Sequence, residues 1–345
     1  MSVSPVRFAD VFTQMSESGK ASPDSVRAVF KAILAGEWTP VQVAGFVVAL
    51  RMIGESAEAI AAAAGAMRDA MVAVEHHHDR LLDTAGTGGD GLGTLNLSTG
   101  AALIAAATGI PVAKHGNRAV SSQAGSADVL EALGIALDVP PARAIEVLDE
   151  TGIAFLMAPA HHPAMRHAVV ARKELGVRTI FNCLGPLANP ARATHQLLGA
   201  YDDALRPVLA ETLRTLGTSR AWVVRGADGL DEVSPFGVTR VTELDSGKLA
   251  EREIHPEDFG LAPSPRDAVR GGDAAANAAV LKAVVSGEAH PSTDAFLLNA
   301  AAAIVVAEGI DPKTATARAR EAIASGAAAK KLEQWRQSSQ SRRPR

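Results

Sequence analysis

Apolar residues recur at three- and four-residue spacing over residues 26–34, 40–53 and 57–74, which predicts three amphipathic helices. Gly36 and Gly54 close the first two, and Thr39-Pro40 supplies a cap followed by proline at the first helical position. Stripes of this kind bury themselves, so the segment reads as core and dimer packing without visible chemistry. From residue 81 the rhythm changes to short apolar runs alternating with helical stretches. Strands are expected at 81–84, 112–114, 154–157, 196–201, 221–224 and 238–244, and helices at 101–108, 127–133, 142–150, 163–175 and 205–216. That alternation implies a mostly parallel sheet covered by helices. Three later helices, near 274–286, 293–308 and 313–324, complete the pattern. The polar, basic tail 338–345 is expected to be disordered. His76-His77-His78 joins the two regions and reads as a solvated linker, since adjacent histidines cannot easily share one metal ion.

Composition narrows the function. With 345 residues the chain holds one large domain or two smaller ones, and its 47% hydrophobic content can fill a core. A formal charge of -4 argues against a surface that coats nucleic acid. Cys183 is the only cysteine, so no intramolecular disulfide forms; this fits a reducing cytoplasm, and its apolar surroundings predict a buried packing role. No signal peptide is expected, and no membrane partner. The longest apolar runs, such as 101–108, fall far short of the ~20 residues that a membrane span requires.

Two stretches carry the chemistry. Gly86-Thr87-Gly88-Gly89-Asp90-Gly91 runs into Thr94-Leu95-Asn96-Leu97-Ser98-Thr99, and Lys114-His115-Gly116-Asn117-Arg118 runs into Ser121-Ser122 and Gly125-Ser126. The first offers flexible backbone donors and hydroxyls, and the second offers fixed cations. Together they describe a site for a ligand bearing several phosphates, because consecutive exposed N–H groups form an anion-binding concavity. Ser98 or Thr99 is the expected N-cap of helix 101–108, which Gly109 closes, so that the positive helix end faces the phosphates. Asp90 suits a sugar hydroxyl or a magnesium-bound water. Gly86, Gly88 and Gly91 match G-x-G-x-x-G, yet no Asp or Glu occurs between Asp90 and Asp128 to hold the ribose of a dinucleotide. No Gly-Lys-Ser/Thr triplet follows either, so a Walker loop is excluded.

Asp231-Glu232 follows a turn just after strand 221–224. Paired carboxylates there suit Mg²⁺, and an exposed acidic turn fits the residues equally well. Arg172, in Ala171-Arg172-Lys173-Glu174, reads unaided as part of a solvated helix face.

Asp83-Thr84-Ala85-Gly86-Thr87-Gly88-Gly89-Asp90-Gly91 with Lys114-His115-Gly116-Asn117-Arg118 resembles the anthranilate phosphoribosyltransferase family. The likeness continues through Arg172-Lys173-Glu174-Leu175-Gly176, Arg178-Thr179-Ile180-Phe181-Asn182 and Asp228-Gly229-Leu230-Asp231-Glu232, and covers nearly the whole chain in order. The resemblance implies an α/β fold of the nucleoside phosphorylase/phosphoribosyltransferase type: a small all-helical domain (1–75 with 172–190) beside a large α/β domain (76–171 with 191–345). It implies transfer of 5-phosphoribose from phosphoribosyl pyrophosphate to the amine of anthranilate in tryptophan biosynthesis, with Mg²⁺, in a cytoplasmic homodimer.

Residue by residue, the resemblance assigns phosphoribosyl pyrophosphate to Gly86, Gly89, Asp90, Thr94, Asn96, Leu97, Ser98, Thr99, the run Lys114, His115, Gly116, Asn117, Arg118, Ala119, Val120, Ser121, Ser122, and Ser126. Asp90 and Asn96 are expected to orient the ribose, with Lys114 and Arg118 supplying charge. Anthranilate falls to Gly86, Asn117 and Arg172, and the metal to Ser98, Asp231 and Glu232. No acid or base is assigned. His161-His162-Pro163 is expected to line the anthranilate channel beside Met157 and Pro186, with a structural role for the histidines as the alternative. Ala119, Gln123 and Arg225 depart from the common pattern, where serine, lysine and histidine are frequent. A pyrimidine nucleoside phosphorylase and a non-catalytic nucleic-acid-binding relative of the same fold remain as competitors. The second should be strongly basic with a degraded Asp-Glu pair.

Overall fold

Ser22, Thr39 and Ser56 each accept a hydrogen bond from the backbone N–H three residues on, and so start three helices of an N-terminal bundle. The bundle comprises α1 (Phe8–Ser18), α2 (Pro23–Leu34), α3 (Pro40–Ile53) and α4 (Ala57–Ala70). Its first helix has no side-chain cap and escaped the periodicity; Phe8 docks it edge-on against Trp38, with ring centres 5.7 Å apart. The computed structural model describes residues 6–119 and 123–341.

Beyond the bundle come β1 (Leu82–Gly86), α5 (Leu97–Ala107), β2 (Val112–Gly116), α6 (Ser126–Ala132), α7 (Pro141–Thr151) and β3 (Ile153–Met157). The short α8 (Ala158–His161) leads to α9 (Arg166–Leu175) and α10 (Phe181–Leu187), then β4 (His195–Gly199), α11 (Leu205–Thr215), β5 (Arg220–Gly226), β6 (Thr239–Asp245) and β7 (Lys248–Ile254). The helices α12 (Ala274–Val285), α13 (Thr293–Glu308), α14 (Pro312–Ala324) and α15 (Ala327–Gln340) finish the chain. Seven strands form one sheet in the order β3-β2-β1-β4-β5-β6-β7, parallel from β3 to β5 and antiparallel beyond. The mostly parallel sheet expected from the alternation is therefore present.

Alternation along the inner strands divides the core between the two sheet faces. Leu197, Trp222 and Val224 join the cluster around α5 and α13, whereas Leu198, Ala221 and Val223 join the cluster of the helical bundle. The bundle core thus continues onto one face of the sheet, together with Phe181, Cys183 and Leu184 of α10. Burial pushes the Cys183 thiol up to about 12, in keeping with its packing role.

Three sequence expectations are corrected. The expected disorder of 338–345 is corrected for its first part: α15 runs to Gln340, and Ser338 and Ser339 are buried, with Ser338 Oγ donating to Glu150 at 2.6 Å, while 342–345 lie outside the described residues. Strand β7 was missed because six of its seven residues are exposed; it is a charged edge paired to β6, with Glu251 bonded by Arg206 of α11 at 2.7 Å and Arg252 stacked over Trp222. The histidine linker is only partly solvated. His76 bonds the Ala191 carbonyl at 2.7 Å, and His78 packs against Asp149, so that only His77 is well exposed.

Candidate active site

Strand β1 has β2 on one side and β4 on the other, so the chain reverses its direction of winding there. In open α/β sheets a ligand cleft opens at the carboxyl ends of the strands at such a point. The glycine loop leaves β1 at this end, and Asp231 arrives from the loop after β5. A Cβ on Gly199, the last residue of β4, would fall deep inside the Asp231 carbonyl, and one on Gly86 would lie 3.0 Å from Asp231 Oδ2. Gly199 is needed to let the Asp231 backbone in, and Gly86 leaves room for its carboxylate. Gly88 N–H then donates to Asp231 Oδ2 at 2.9 Å.

Three carboxylates converge here. Burial, and then the charge of Asp90, push Asp231 up to about 7; burial and then Asp231 push Glu232 up to about 8. Asp90 itself accepts from Leu92 N–H at 3.0 Å through Oδ1, and its buried Oδ2 has no hydrogen-bond donor among the described residues other than the carboxyl of Asp231 that it faces. Glu232 accepts the Ser98 N–H at 3.0 Å. That bond corrects the expected cap: α5 begins at Leu97, so Ser98 and Thr99 lie within its first turn, and Glu232 satisfies the helix end from 134 residues away. Hard oxygen donors whose carboxylates repel one another suit a small divalent cation, and the Ser98 hydroxyl lies beside them.

The cations sit differently from expectation. Lys114 is buried, its Nζ donating to the Thr84 carbonyl at 2.5 Å and to Ser98 Oγ at 3.4 Å. Desolvation lowers its pKa, opposed by Asp83 and Glu232. Lys114 therefore lies beneath the carboxylate cluster and offsets its charge. Asp83 is held by Asn189 Nδ2 at 2.8 Å and the His115 N–H at 3.2 Å, and burial raises it to about 6. Arg118 turns away to pair with Asp128 at 3.1 Å and Glu131 at 2.8 Å. Asp128 also accepts the N–H groups of Ala119 and Gly125, both at 2.9 Å, and so ties the second loop to the start of α6. Sequence reasoning missed this role, although an Asp three residues after Gly125 is a capping signal.

Of the other expected phosphate ligands, Asn96 is held at both ends of its amide, its Nδ2 donating to the Ala124 carbonyl at 3.1 Å and its Oδ1 accepting from Asn277 at 3.0 Å, which fixes its orientation and leaves one N–H and one lone pair. Thr94 pairs with Arg270 in an isolated bridge, Leu97 is fully buried, and Thr99 is buried with no hydrogen-bond partner for its hydroxyl among the described residues. Gly116 packs under Ser126 and Phe155, Ser126 Oγ bonds the Asn117 carbonyl at 3.4 Å, and Asn117 Oδ1 accepts the Arg118 N–H. Val120, Ser121 and Ser122 lie outside the described residues.

Arg172 stands on the exposed face of α9. Its guanidinium lies 5.5 Å from the Phe181 ring centre and meets no carboxylate among the described residues. The histidines differ from the channel expectation. His161 and His162 are buried and bond the carbonyls of Val72 at 2.8 Å and Ala188 at 2.9 Å. His115 bonds the Gly185 carbonyl at 3.0 Å and packs against His162. Burial lowers His115 to about 3 and His162 to about 4, so both are neutral structural rings. Arg178 was also missed. It belongs to the stretch 178–182 that carries the resemblance, which assigns it no role; it follows the end of α9, stacks on Tyr201 and reaches the glycine loop.

Residues 78–329 match the family described as glycosyl transferase family, a/b domain, and residues 10–71 match its helical bundle domain. An anthranilate phosphoribosyltransferase of Thioalkalivibrio sulfidiphilus is 48% identical over 320 residues, which is 91% of this chain and 93% of that one. The crystal structure of the Thermus thermophilus enzyme superposes with a TM-score of 0.90 at 45% identity, covering 96% of this chain and all of the other. The Saccharomyces cerevisiae enzyme in complex with PRPP and Mg gives 0.89 at 30% identity, covering 96% of this chain and 97% of the other. With this identity along nearly its whole length, the chain belongs to the anthranilate phosphoribosyltransferase family.

Proposed function

We propose that the protein transfers the 5-phosphoribosyl group of phosphoribosyl pyrophosphate to the amine of anthranilate, as a step of tryptophan biosynthesis. The observation that carries this reading is the meeting, at one sheet end, of a glycine loop with the Asp90, Asp231 and Glu232 carboxylates. Across the cleft, Arg172 is free of any carboxylate among the described residues. The bond from ribosyl C1 to pyrophosphate breaks, the anthranilate nitrogen bonds C1, and the nitrogen then loses a proton. An aromatic amine is already neutral at pH 7, so the protein need only hold the two reactants in line. Arg172 grips the anthranilate carboxylate through its planar fork, and Gly86 and Asn117 border the same substrate. The glycine loop and the first turn of α5 present N–H groups to the phosphates, and the second loop covers them and excludes water.

Asp231, Glu232 and the Ser98 hydroxyl would hold Mg²⁺, which when bound neutralises charge on the pyrophosphate leaving group. Asp90, facing Asp231, belongs to the same oxygen set. Lys114 offsets the charge of Glu232 before any cation arrives. The transfer is proposed to take place in a reducing cytoplasm, in keeping with a single buried thiol. The small domain is proposed to comprise 1–75 with 172–190. The protein is proposed to be a homodimer joined through this domain: Val41, Val48 and Met52 form an exposed apolar stripe along α3 at 81%, 39% and 81% exposure, with Phe12 of α1 also exposed.

A fluorescence assay tests the reaction. Mixing protein, anthranilate, phosphoribosyl pyrophosphate and Mg²⁺ should consume anthranilate fluorescence with stoichiometric release of pyrophosphate. Unchanged fluorescence with folded protein refutes the reading.

A further inference from the structure

Arg178 lies two residues beyond Gly176, the left-handed cap of α9, and its guanidinium crosses to the other side of the cleft. It donates to two consecutive carbonyls of the glycine loop, through Nη1 to Gly88 at 3.2 Å and through Nη2 to Gly89. Its face lies 3.9 Å from the centre of the Tyr201 ring, at stacking distance. Tyr201 is itself tied to the loop: its N–H donates to Thr87 Oγ1 at 2.9 Å, and Thr87 N–H donates to the Gly199 carbonyl at 2.9 Å. The loop is thus gripped from β4 on one shoulder and from the α9–α10 connection on the other. Gly89 has φ +78°, and any Cβ there would strike the guanidinium.

We propose that Arg178 is a positioning residue that orients the phosphate-binding N–H groups and couples the two substrate sites, an inference that rests on the transferase reading above. In a trans peptide the C=O and N–H point in opposite directions. Holding the carbonyls of Gly88 and Gly89 toward Arg178 turns the N–H groups of Gly89 and Asp90 the other way. Asp90 is also where the loop meets the carboxylate cluster, so the same grip sets the approach of Asp90 to Asp231. Two parallel donors are needed to fix two successive peptide planes, which a planar guanidinium supplies and an ammonium does not. Arg172, six residues earlier, is on the same α9, whose end leads directly into Arg178. A shift of α9 on binding an aromatic carboxylate therefore pulls on the phosphate loop, and the reverse holds by linkage.

The experiment compares the parent with Arg178→Ala, Arg178→Lys and Tyr201→Leu. Calorimetry with Mg²⁺–pyrophosphate reads the phosphate loop without needing turnover, and two-substrate initial rates read the factor by which each substrate changes the affinity of the other. Arg178→Ala should weaken pyrophosphate at least tenfold and bring the interaction factor close to one, leaving binding of anthranilate alone within about threefold. Arg178→Lys should restore the melting temperature but less than half of the lost affinity on a logarithmic scale. Tyr201→Leu should act in the same direction more weakly. Pyrophosphate affinity within twofold of the parent in Arg178→Ala overturns the proposal. So does full rescue by lysine, and so does an equal loss of both ligands, which marks a merely structural role. If the parent binds pyrophosphate but transfers nothing to anthranilate, the functional reading fails, while the pyrophosphate comparison still judges the loop-orienting role of Arg178.

Discussion

Replacing Arg172 by alanine removes a guanidinium that no protein carboxylate uses among the described residues, so the perturbation falls on the ligand rather than on the fold. Among the described residues its guanidinium stacks on Phe181 at 5.5 Å, a contact worth about 0.5–1 kcal/mol at an exposed site. The change in melting temperature should accordingly be a few degrees at most. The loss for substrate is larger. A bidentate, charge-assisted pair to the anthranilate carboxylate contributes ~1.5–3 kcal/mol. That is roughly one to two powers of ten in kcat/KM. Arg172→Lys keeps the charge and loses the fork, and should recover only part of the deficit. Steady-state rates with each substrate varied in turn decide the matter: the anthranilate KM should rise much more than that of phosphoribosyl pyrophosphate. Equal damage to both, or none to anthranilate, refutes the assignment and makes Arg172 a surface charge.

The raised pKa values of Asp231 and Glu232, up to about 7 and about 8, mean that the folded metal-free protein holds protons that the unfolded chain releases above about pH 4. Stability contributed by those protons falls as pH rises through this window. The buried His115, His162 and His195, lowered to about 3, about 4 and about 4, stay neutral in the folded protein while the unfolded chain still binds protons around pH 6.5, so they oppose this trend until about pH 7.5. Denaturant titrations in chelator should show stability falling from about pH 7.5 to 8.5, by up to ~1.4 kcal/mol per pH unit per group, and D231N/E232Q should flatten that limb. A parent profile already flat there contradicts the shifts. Asp231→Ala with Glu232→Ala should keep the fold and remove most transfer activity, and activity within a few-fold of the parent at limiting Mg²⁺ would leave the pair as an ordinary turn. Gly199→Ala places a methyl group on the Asp231 carbonyl, and should cost about 1–3 kcal/mol together with most Mg²⁺-dependent activity; a parent-like melting temperature would show that the loop can yield. Val41→Asp with Met52→Asp should convert a dimer to a monomer in sedimentation at micromolar concentration, and a parent that is already monomeric disproves the proposed interface.

Elements whose reasons are local were readable in the sequence. The helices α2, α3 and α4 carry their own caps at Ser22, Thr39 and Ser56, and α13 spans the predicted 293–308 because an apolar run with a closing glycine needs no distant help. The glycine loop, the Asp231-Glu232 pair and the alternation of a parallel sheet are likewise patterns of neighbouring residues. Tertiary structure decided whatever depends on a partner far along the chain. Helix α5 starts four residues earlier than predicted because Glu232 caps it from the other side of the cleft. Strand β7 exists because β6 pairs with it, despite a surface that reads as loop. Lys114 and Arg118 look alike as cations in one short motif. The fold buries the first between Asp83 and Glu232 and pairs the second with Asp128 and Glu131, so neither points where a motif alone would place it. Arg178 stands in a stretch that carries the family resemblance, yet nothing in that stretch shows that it reaches the glycine loop. The physical reason is common to these cases: a backbone conformation is set mainly by near neighbours, whereas the direction, charge and partner of a side chain are set by which surfaces the folded chain brings against it.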